Sequence, residues 1–153
     1  MGTPAAGRLG RAVARAFPCR VRAVGRLCLT AVGPSPAPLV DSARDLAPLV
    51  LDVGEPGQAA VAASLADAVV LVASPSVEPA LAAVVAQSLS NLGPEPVVVL
   101  NRDRDADERW EGRCALCLPE SRMGAQLALA GREARGELGR AVARLADLAA
   151  VSP

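Results

Sequence analysis

The sequence predicts one α/β domain over residues 1–153, built on a parallel, doubly wound sheet. Two observations carry this prediction. Wholly apolar segments, typical of strands buried on both faces, occur at residues 68–73 and 96–100. Segments with the helical apolar period lie between and after them, and short loops rich in Pro, Gly and Ser join them.

The remaining elements follow from the same patterns in chain order. Residues 103–113 are almost entirely charged and polar, and we expect a solvated loop there. The predicted strands are 20–24, 49–53, 68–73, 96–100 and 114–118, and the predicted helices are 8–17, 58–66, 76–92 and 122–150, the last in two pieces around 131–136.

The helix at 76–92 is predicted in most detail. Ser76 is placed to cap it, and Pro79 is tolerated in its first turn. The helical apolar period falls on Leu81, Val84, Val85, Leu89 and Leu92.

The composition limits the chemistry. The chain has no His and no Tyr, and Phe17 and Trp110 are its only aromatic residues. We therefore expect a core of Ala, Val and Leu, and no acid–base catalysis by histidine. Base stacking on aromatic side chains is disfavoured, so we expect no sequence-specific nucleic-acid binding.

Charge is unevenly distributed, although the formal net charge is +0. Residues 1–40 contain six Arg and no acid, whereas residues 41–153 contain ten Arg and all sixteen acids. Two interpretations stay open for this basic, atypical part. It forms a surface for phosphate, nucleic acid or an acidic partner, or it is a helix with a solvated Arg face.

The four cysteines indicate reduced thiols in the cytoplasm, because no secretory apolar segment follows the first arginines. Cys114 and Cys117 fall on the predicted strand 114–118, where side chains three positions apart point to opposite faces. We therefore interpret them as buried structural thiols, and not as a metal or redox site.

Polar residues follow the predicted strands at one edge. In doubly wound sheets the ligand binds at the carboxyl ends of the strands. Asp52, Ser74, Asn101 and the pair Pro119–Glu120 occupy those ends. The pattern thus predicts a binding edge.

Residues 48–150 resemble the MinD/ParA family of deviant P-loop ATPases, including their pilus-assembly relatives of the CpaE/TadZ type. The resemblance rests on the ordered series LVLDVGEPG, ADAVVLVASPSVEPALAA, VVVLNRDRD and LPESR. It implies a P-loop NTPase-like sheet with helices on both faces, shortened at the N-terminus.

The resemblance also implies roles for single residues. Asp52 is similar to the Walker B aspartate, which orders water around Mg²⁺, and Gly54 would let the backbone approach the γ-phosphate. Asn101 and Arg102 match a strand end that recognises adenine. The alternative is that Asp52 and Asn101 only end strands and start turns.

Pro119 and Glu120 match the family segment that packs against the adenine base. The phosphate loop matches less well. Gly2 and Gly7 have its spacing, but Arg8 stands where the family has Lys, and Leu9 replaces the hydroxyl residue that binds Mg²⁺.

The chain contains no lysine, so a standard lysine-dependent P-loop ATPase is excluded. ATP and Mg²⁺ are therefore doubtful cofactors, and Asp52 is a catalytic candidate only if the chain is active. We expect a degenerate MinD/ParA-like scaffold or spatial regulator with weak nucleotide binding and little or no hydrolysis.

Its expected partners are proteins, either a second copy or an ATPase of the family. Membrane association by the C-terminal helix is disfavoured, because that helix has few bulky residues and no Lys cluster. Two alternatives stay open. One is a fragment of an active ATPase whose P-loop lies upstream of Met1, and the other is a structural interaction module without a ligand.

Overall fold

The structure is a computed structural model that describes residues 22–24, 27–29, 37, 40–41, 49–54, 59–103, 108–130 and 132–151. The chain divides into two compact units. One comprises Met1–Leu65 and Ala130–Arg132, and the other Ala66–Leu129 and Glu133–Pro153. The single domain over residues 1–153 stays a prediction.

The first unit contains a short antiparallel strand pair and a helix. Strands β1 (Arg22–Val24) and β2 (Leu27–Leu29) pair with Ala23 opposite Cys28. Helix α1 (Ala60–Leu65) lies within the predicted helix 58–66. The strand predicted at 20–24 is present in part, but its described partner is antiparallel. Strand β2 was not predicted, because three residues are too few to show a period.

The prediction of a strand at residues 49–53 is wrong. Residues 49–54 form no regular element, and the side chain of Val50 is 94% exposed. An apolar run becomes a strand only where a neighbouring backbone supplies the hydrogen bonds. The sequence indicated the run, but it did not reveal whether such a partner exists.

The second unit contains the parallel sheet that the sequence predicts. Strands β3 (Val70–Ala73), β4 (Val97–Asp103) and β5 (Leu116–Pro119) lie in that order. Both pairings are parallel. The α/β class is thereby confirmed.

Strand β4 lies between the other two, and Val99 and Leu100 within it are fully buried. Strand β3 was predicted to be central and buried on both faces. Instead it lies at an edge of this three-stranded sheet, with Val70 37% and Val72 56% exposed. The four residues of β3 are as uniformly apolar as the first four residues of β4, so composition alone did not distinguish an edge strand from a central one.

Helix α2 (Pro79–Ser90) follows β3. It begins at Pro79, because proline has a fixed φ near the helical value and has no N–H group to satisfy. The preceding residue Glu78 holds the cap position without a side-chain hydrogen bond, so the prediction of a Ser76 cap is wrong. The hydroxyl of Ser76 instead lies 2.7 Å from that of Ser74.

The buried side of α2 also differs from the predicted apolar period. Leu89 is buried, but Leu81 and Val84 are 58% and 63% exposed. The core cluster uses Ala82 instead, together with Ala73, Leu100 and Trp110. A small side chain at this position lets the helix backbone approach the sheet closely, beside the large indole ring.

A short 3₁₀ turn (Glu108–Trp110) lies in the connection between β4 and β5. The solvated loop predicted for residues 103–113 is wrong at Trp110, whose side chain is only 2% exposed. Among the described residues its indole Nε1 finds no hydrogen-bond acceptor. One large apolar ring in an otherwise charged segment is enough to draw the segment onto the core.

Two helices complete the unit, and the predicted break between them is confirmed. Helix α3 (Arg122–Leu129) begins after Ser121, whose Oγ accepts the Gly124 N–H at 3.0 Å. Helix α4 (Gly136–Val151) contacts β5. A Cβ atom at Gly124 would overlap Cδ2 of Leu138, so the leucine side chain would have to shift where α3 approaches α4.

We expect Leu100→Ala to lower the free energy of unfolding by about 2–5 kcal/mol, because it leaves a cavity beneath Trp110 and Ala82. The matched control Leu81→Ala removes the same atoms from an exposed position and is expected to change stability by about 0.5 kcal/mol or less. Urea denaturation followed by far-ultraviolet circular dichroism measures both. Equal losses for the two variants would contradict this assignment of the core.

Candidate functional site

The carboxyl ends of the three parallel strands form one edge of the second unit. Strand β3 ends at Ala73 and is followed by Ser74, while β5 ends at Pro119 and is followed by Glu120. Open parallel sheets bind ligands at this edge, because the connecting loops and helix amino ends gather there. Ser74 and Glu120 follow strands that share this edge, and Pro119 ends β5, as predicted. Asn101 was predicted to follow its strand, but it lies within β4, two residues before the strand ends at Asp103.

The candidate adenine residues lie near the carboxyl ends of two neighbouring strands. In the pairing of β4 with β5, Asn101 lies opposite Leu118, and Asp103 lies opposite Pro119. A register irregularity between Asn101 and Asp103 leaves one extra residue on β4 at this point. Pro119 has no N–H group to donate, so the hydrogen-bond ladder ends there.

The exposure of these residues differs along the edge. Asn101 is half-buried, Pro119 is half-buried and Glu120 is exposed. Arg102 lies in β4, and its side chain is outside the described part of the chain. Asn101 thus supplies a half-buried amide on β4, and Pro119 supplies a half-buried apolar ring at the end of the neighbouring strand.

The loop between β3 and α2 is fixed by the 3₁₀ turn. Arg109 Nη2 donates to the carbonyl oxygen of Pro75 at 3.0 Å. Its Nη1 lies 3.6 Å from Oε2 of Glu78, and both of these side chains are exposed. An exposed ion pair contributes only about 0–1 kcal/mol, so the bond to the carbonyl oxygen has the clearer structural role.

Asp52 and Gly54 lie in the first unit and form a local turn. Asp52 is exposed, and its Oδ1 accepts the Gly54 N–H at 3.2 Å. Gly54 has a φ of 66°, in the left-handed region that favours glycine. The prediction that Asp52 ends a strand is therefore wrong. Its carboxylate instead stabilises a local turn, as Asp often does.

The candidate phosphate-loop residues Gly2, Gly7 and Arg8 lie outside the described residues. Within the described ranges, no three His, Cys, Asp or Glu side chains gather as a metal ion would need. In the same part of the chain, no helix has the length and apolar character needed to cross a membrane.

An open groove with a volume of about 560 Å³ lies at the opposite edge, along the amino ends of β4 and β5. Its lining includes Pro96 and Val97 on one side and Cys114 and Ala115 on the other. Sequence reasoning did not predict this groove, because it is formed by turns that precede strands.

The two cysteines of the CALC segment are also arranged differently from the prediction. Cys114 lies before β5, not in it, and its Sγ lies 3.6 Å from that of Cys117. The alternation argument was wrong because it assigned both residues to the strand. Gly112 was a sequence signal for a turn just before this segment. In the structure it has a φ of 66°, and β5 begins only at Leu116.

A scan against protein-family models, a search of curated proteins and a search of solved structures each found no match for this chain.

We expect Gly54→Ala to lower the free energy of unfolding by about 1 kcal/mol. No atom lies within 4 Å of a Cβ placed there, so the cost is backbone strain at positive φ and not a clash. Gly54→Asn is the matched control, and it should lose less because Asn tolerates this conformation. Urea denaturation compares the variants, and an equal loss in both would contradict the conformational explanation.

Proposed function

We propose that this chain is a degenerate MinD/ParA-like protein that acts as a scaffold or spatial regulator through protein partners. It binds adenine nucleotides weakly and hydrolyses them little or not at all. The observation that supports the proposal is that Asn101 and Pro119 lie on the neighbouring strands β4 and β5 near the carboxyl edge of the parallel sheet, where Asn101 pairs with Leu118. The doubly wound, P-loop-like arrangement with helices on both faces is part of the same proposal.

The donor set fits the base of a nucleotide. The Asn101 side chain has both an amide N–H₂ and a carbonyl oxygen, which match the acceptor and donor atoms on the edge of adenine. The half-buried Pro119, at the end of the neighbouring strand, offers an apolar surface for the ring. In this proposal the two residues bind and orient the base.

The same chain does not fit a magnesium triphosphate site. It has no lysine to reach the β- and γ-phosphates, and Leu9 has no hydroxyl for the metal. The Asp52 carboxylate is exposed and accepts the Gly54 N–H. Since phosphoryl transfer depends on positioning both metal and phosphate, we derive no hydrolytic step.

Exposed apolar side chains support the scaffold part of the proposal. Val70 and Val72 are exposed on β3, and Leu81 and Val84 are exposed on α2. Burying such side chains against a protein partner contributes favourable free energy in proportion to the apolar area covered. The proposed cytoplasmic location rests on the four cysteines, which we interpret as reduced thiols.

Thermal shift and calorimetric titration with adenosine, AMP and ATP test the nucleotide part. We expect millimolar adenine ligands to raise the Tm, with little difference between adenosine and ATP, because the base supplies most of the contact. Asn101→Ala should weaken binding about tenfold, the loss of one or two hydrogen bonds. Asn91→Ala is the matched control, since Asn91 is exposed at the carboxyl end of α2 and away from this edge.

Two outcomes would contradict the nucleotide part. The absence of any shift at millimolar ATP and adenosine would favour the ligand-free interaction module. Equal weakening in Asn101→Ala and Asn91→Ala would place the ligand elsewhere.

A separate experiment tests the absence of a metal role for Asp52. We expect added Mg²⁺ to leave ATP affinity unchanged, in the wild type and in Asp52→Asn alike. Asn keeps an oxygen that accepts the Gly54 N–H but removes the carboxylate charge, so this variant isolates the metal role from the turn. Binding that requires Mg²⁺ and is lost in Asp52→Asn, together with phosphate release, would instead support an active ATPase.

A further inference from the structure

We propose that Cys114 and Cys117 form a redox-active dithiol, which exchanges with small-molecule disulfides and closes to an intrachain disulfide. This site lies on β5 and the turn before it, and it does not depend on the nucleotide proposal. The proposal rests on the distance between the sulfurs, their unequal exposure and the contacts of Cys114.

The sulfur atoms are already in contact. They are 3.6 Å apart, and the backbone between the two residues bends at Ala115 before β5 begins at Leu116. A disulfide bond is about 2.05 Å long, so the sulfurs must approach by roughly a further 1.5 Å. Side-chain rotation at the exposed Cys117 supplies such a movement without displacing the strand.

The two thiols differ in their surroundings. Cys117 is exposed, whereas Cys114 is half-buried and packs against the core cluster around Trp110. The Cys114 S–H donates to the carbonyl oxygen of Trp110 at 3.7 Å. An incoming disulfide therefore meets Cys117 first, and Cys114 is positioned to react second.

The exchange then has two balanced steps. The Cys117 thiolate attacks a disulfide RSSR, which forms a mixed disulfide and releases one thiolate RS⁻. The Cys114 thiolate attacks Sγ of Cys117 and displaces the second RS⁻, which forms the intrachain bond. The protons of the two cysteines pass to the two released thiolates, so RSSR is reduced to two RSH while the protein dithiol is oxidised.

Oxidation has a consequence inside the core. Cys114 loses its S–H and with it the hydrogen bond to the Trp110 carbonyl. This change takes place at a sulfur that packs against the cluster containing the indole ring. Because Trp110 is the only tryptophan and the chain has no tyrosine, its fluorescence reports this change directly.

The donor set favours this chemistry over a metal site. Two thiolates supply half of the ligands of a tetrahedral zinc ion, and the chain has no histidine. Among the described residues no third Cys, Asp or Glu joins the pair as a metal ligand group. A dithiol, by contrast, is complete with two sulfurs.

The test is titration of the full, reduced chain with glutathione disulfide, followed by intact mass, thiol counting and Trp110 emission. We expect a loss of two hydrogens without a retained glutathione, a fall from four to two titratable thiols per chain, and a change in emission. Reduction with dithiothreitol should reverse all three, and peptide mapping should place the new bond between Cys114 and Cys117.

Variants separate the two steps. Cys114→Ser should trap glutathione on Cys117, because the resolving thiol is absent, and Cys117→Ser should abolish the emission change. The control Cys19→Ser/Cys28→Ser keeps the CALC pair and should still lose two hydrogens. Far-ultraviolet circular dichroism checks the fold of each variant, and peptide mapping of the wild type requires no substitution.

Three results would overturn the proposal. One is a bond that maps to Cys19 or Cys28, and another is loss of oxidation in the Cys19→Ser/Cys28→Ser control. The third is a stoichiometric zinc ion in the purified chain that protects Cys114 and Cys117 from glutathione disulfide.

Discussion

The burial of β4 between two parallel neighbours is the constraint on which the rest of the second unit depends. Leu100 faces the cluster that contains Ala82 and Trp110, and the adjacent Val99 is equally buried on the other face. A slip of one residue would exchange the two faces, so the pairing register is strongly specified. That register is also what places Asn101 opposite Leu118 at the carboxyl edge.

Trp110 connects this core to both candidate sites. The residue before it, Arg109, bonds to the carbonyl oxygen of Pro75 in the loop at the carboxyl edge. The carbonyl oxygen of Trp110 accepts the S–H of Cys114. A charged segment that was expected to be solvated is therefore fixed at the core by one indole ring, and hydrogen bonds to the loop and to the dithiol follow from that position.

Much of the fold was predictable where a local pattern was sufficient. The parallel strands β3, β4 and β5 appear where continuous apolar runs or the CALCL segment predicted strands, and the break between α3 and α4 lies where glycines interrupt the helical period. Asn101 and Pro119 lie on neighbouring strands near the same edge, because parallel strands bring their carboxyl ends together, and their role toward adenine stays a prediction.

The sequence by itself determined the α/β class and the order of the elements in the second unit, because these depend on the local pattern of apolar residues. It also determined that no lysine is present to bind phosphate, because this depends on residue type alone. Only the tertiary structure decided which apolar residues are buried, since burial depends on neighbours distant in the chain. It left Val72 exposed at a sheet edge, showed Asp52 closing a turn, and brought Cys114 into contact with Cys117.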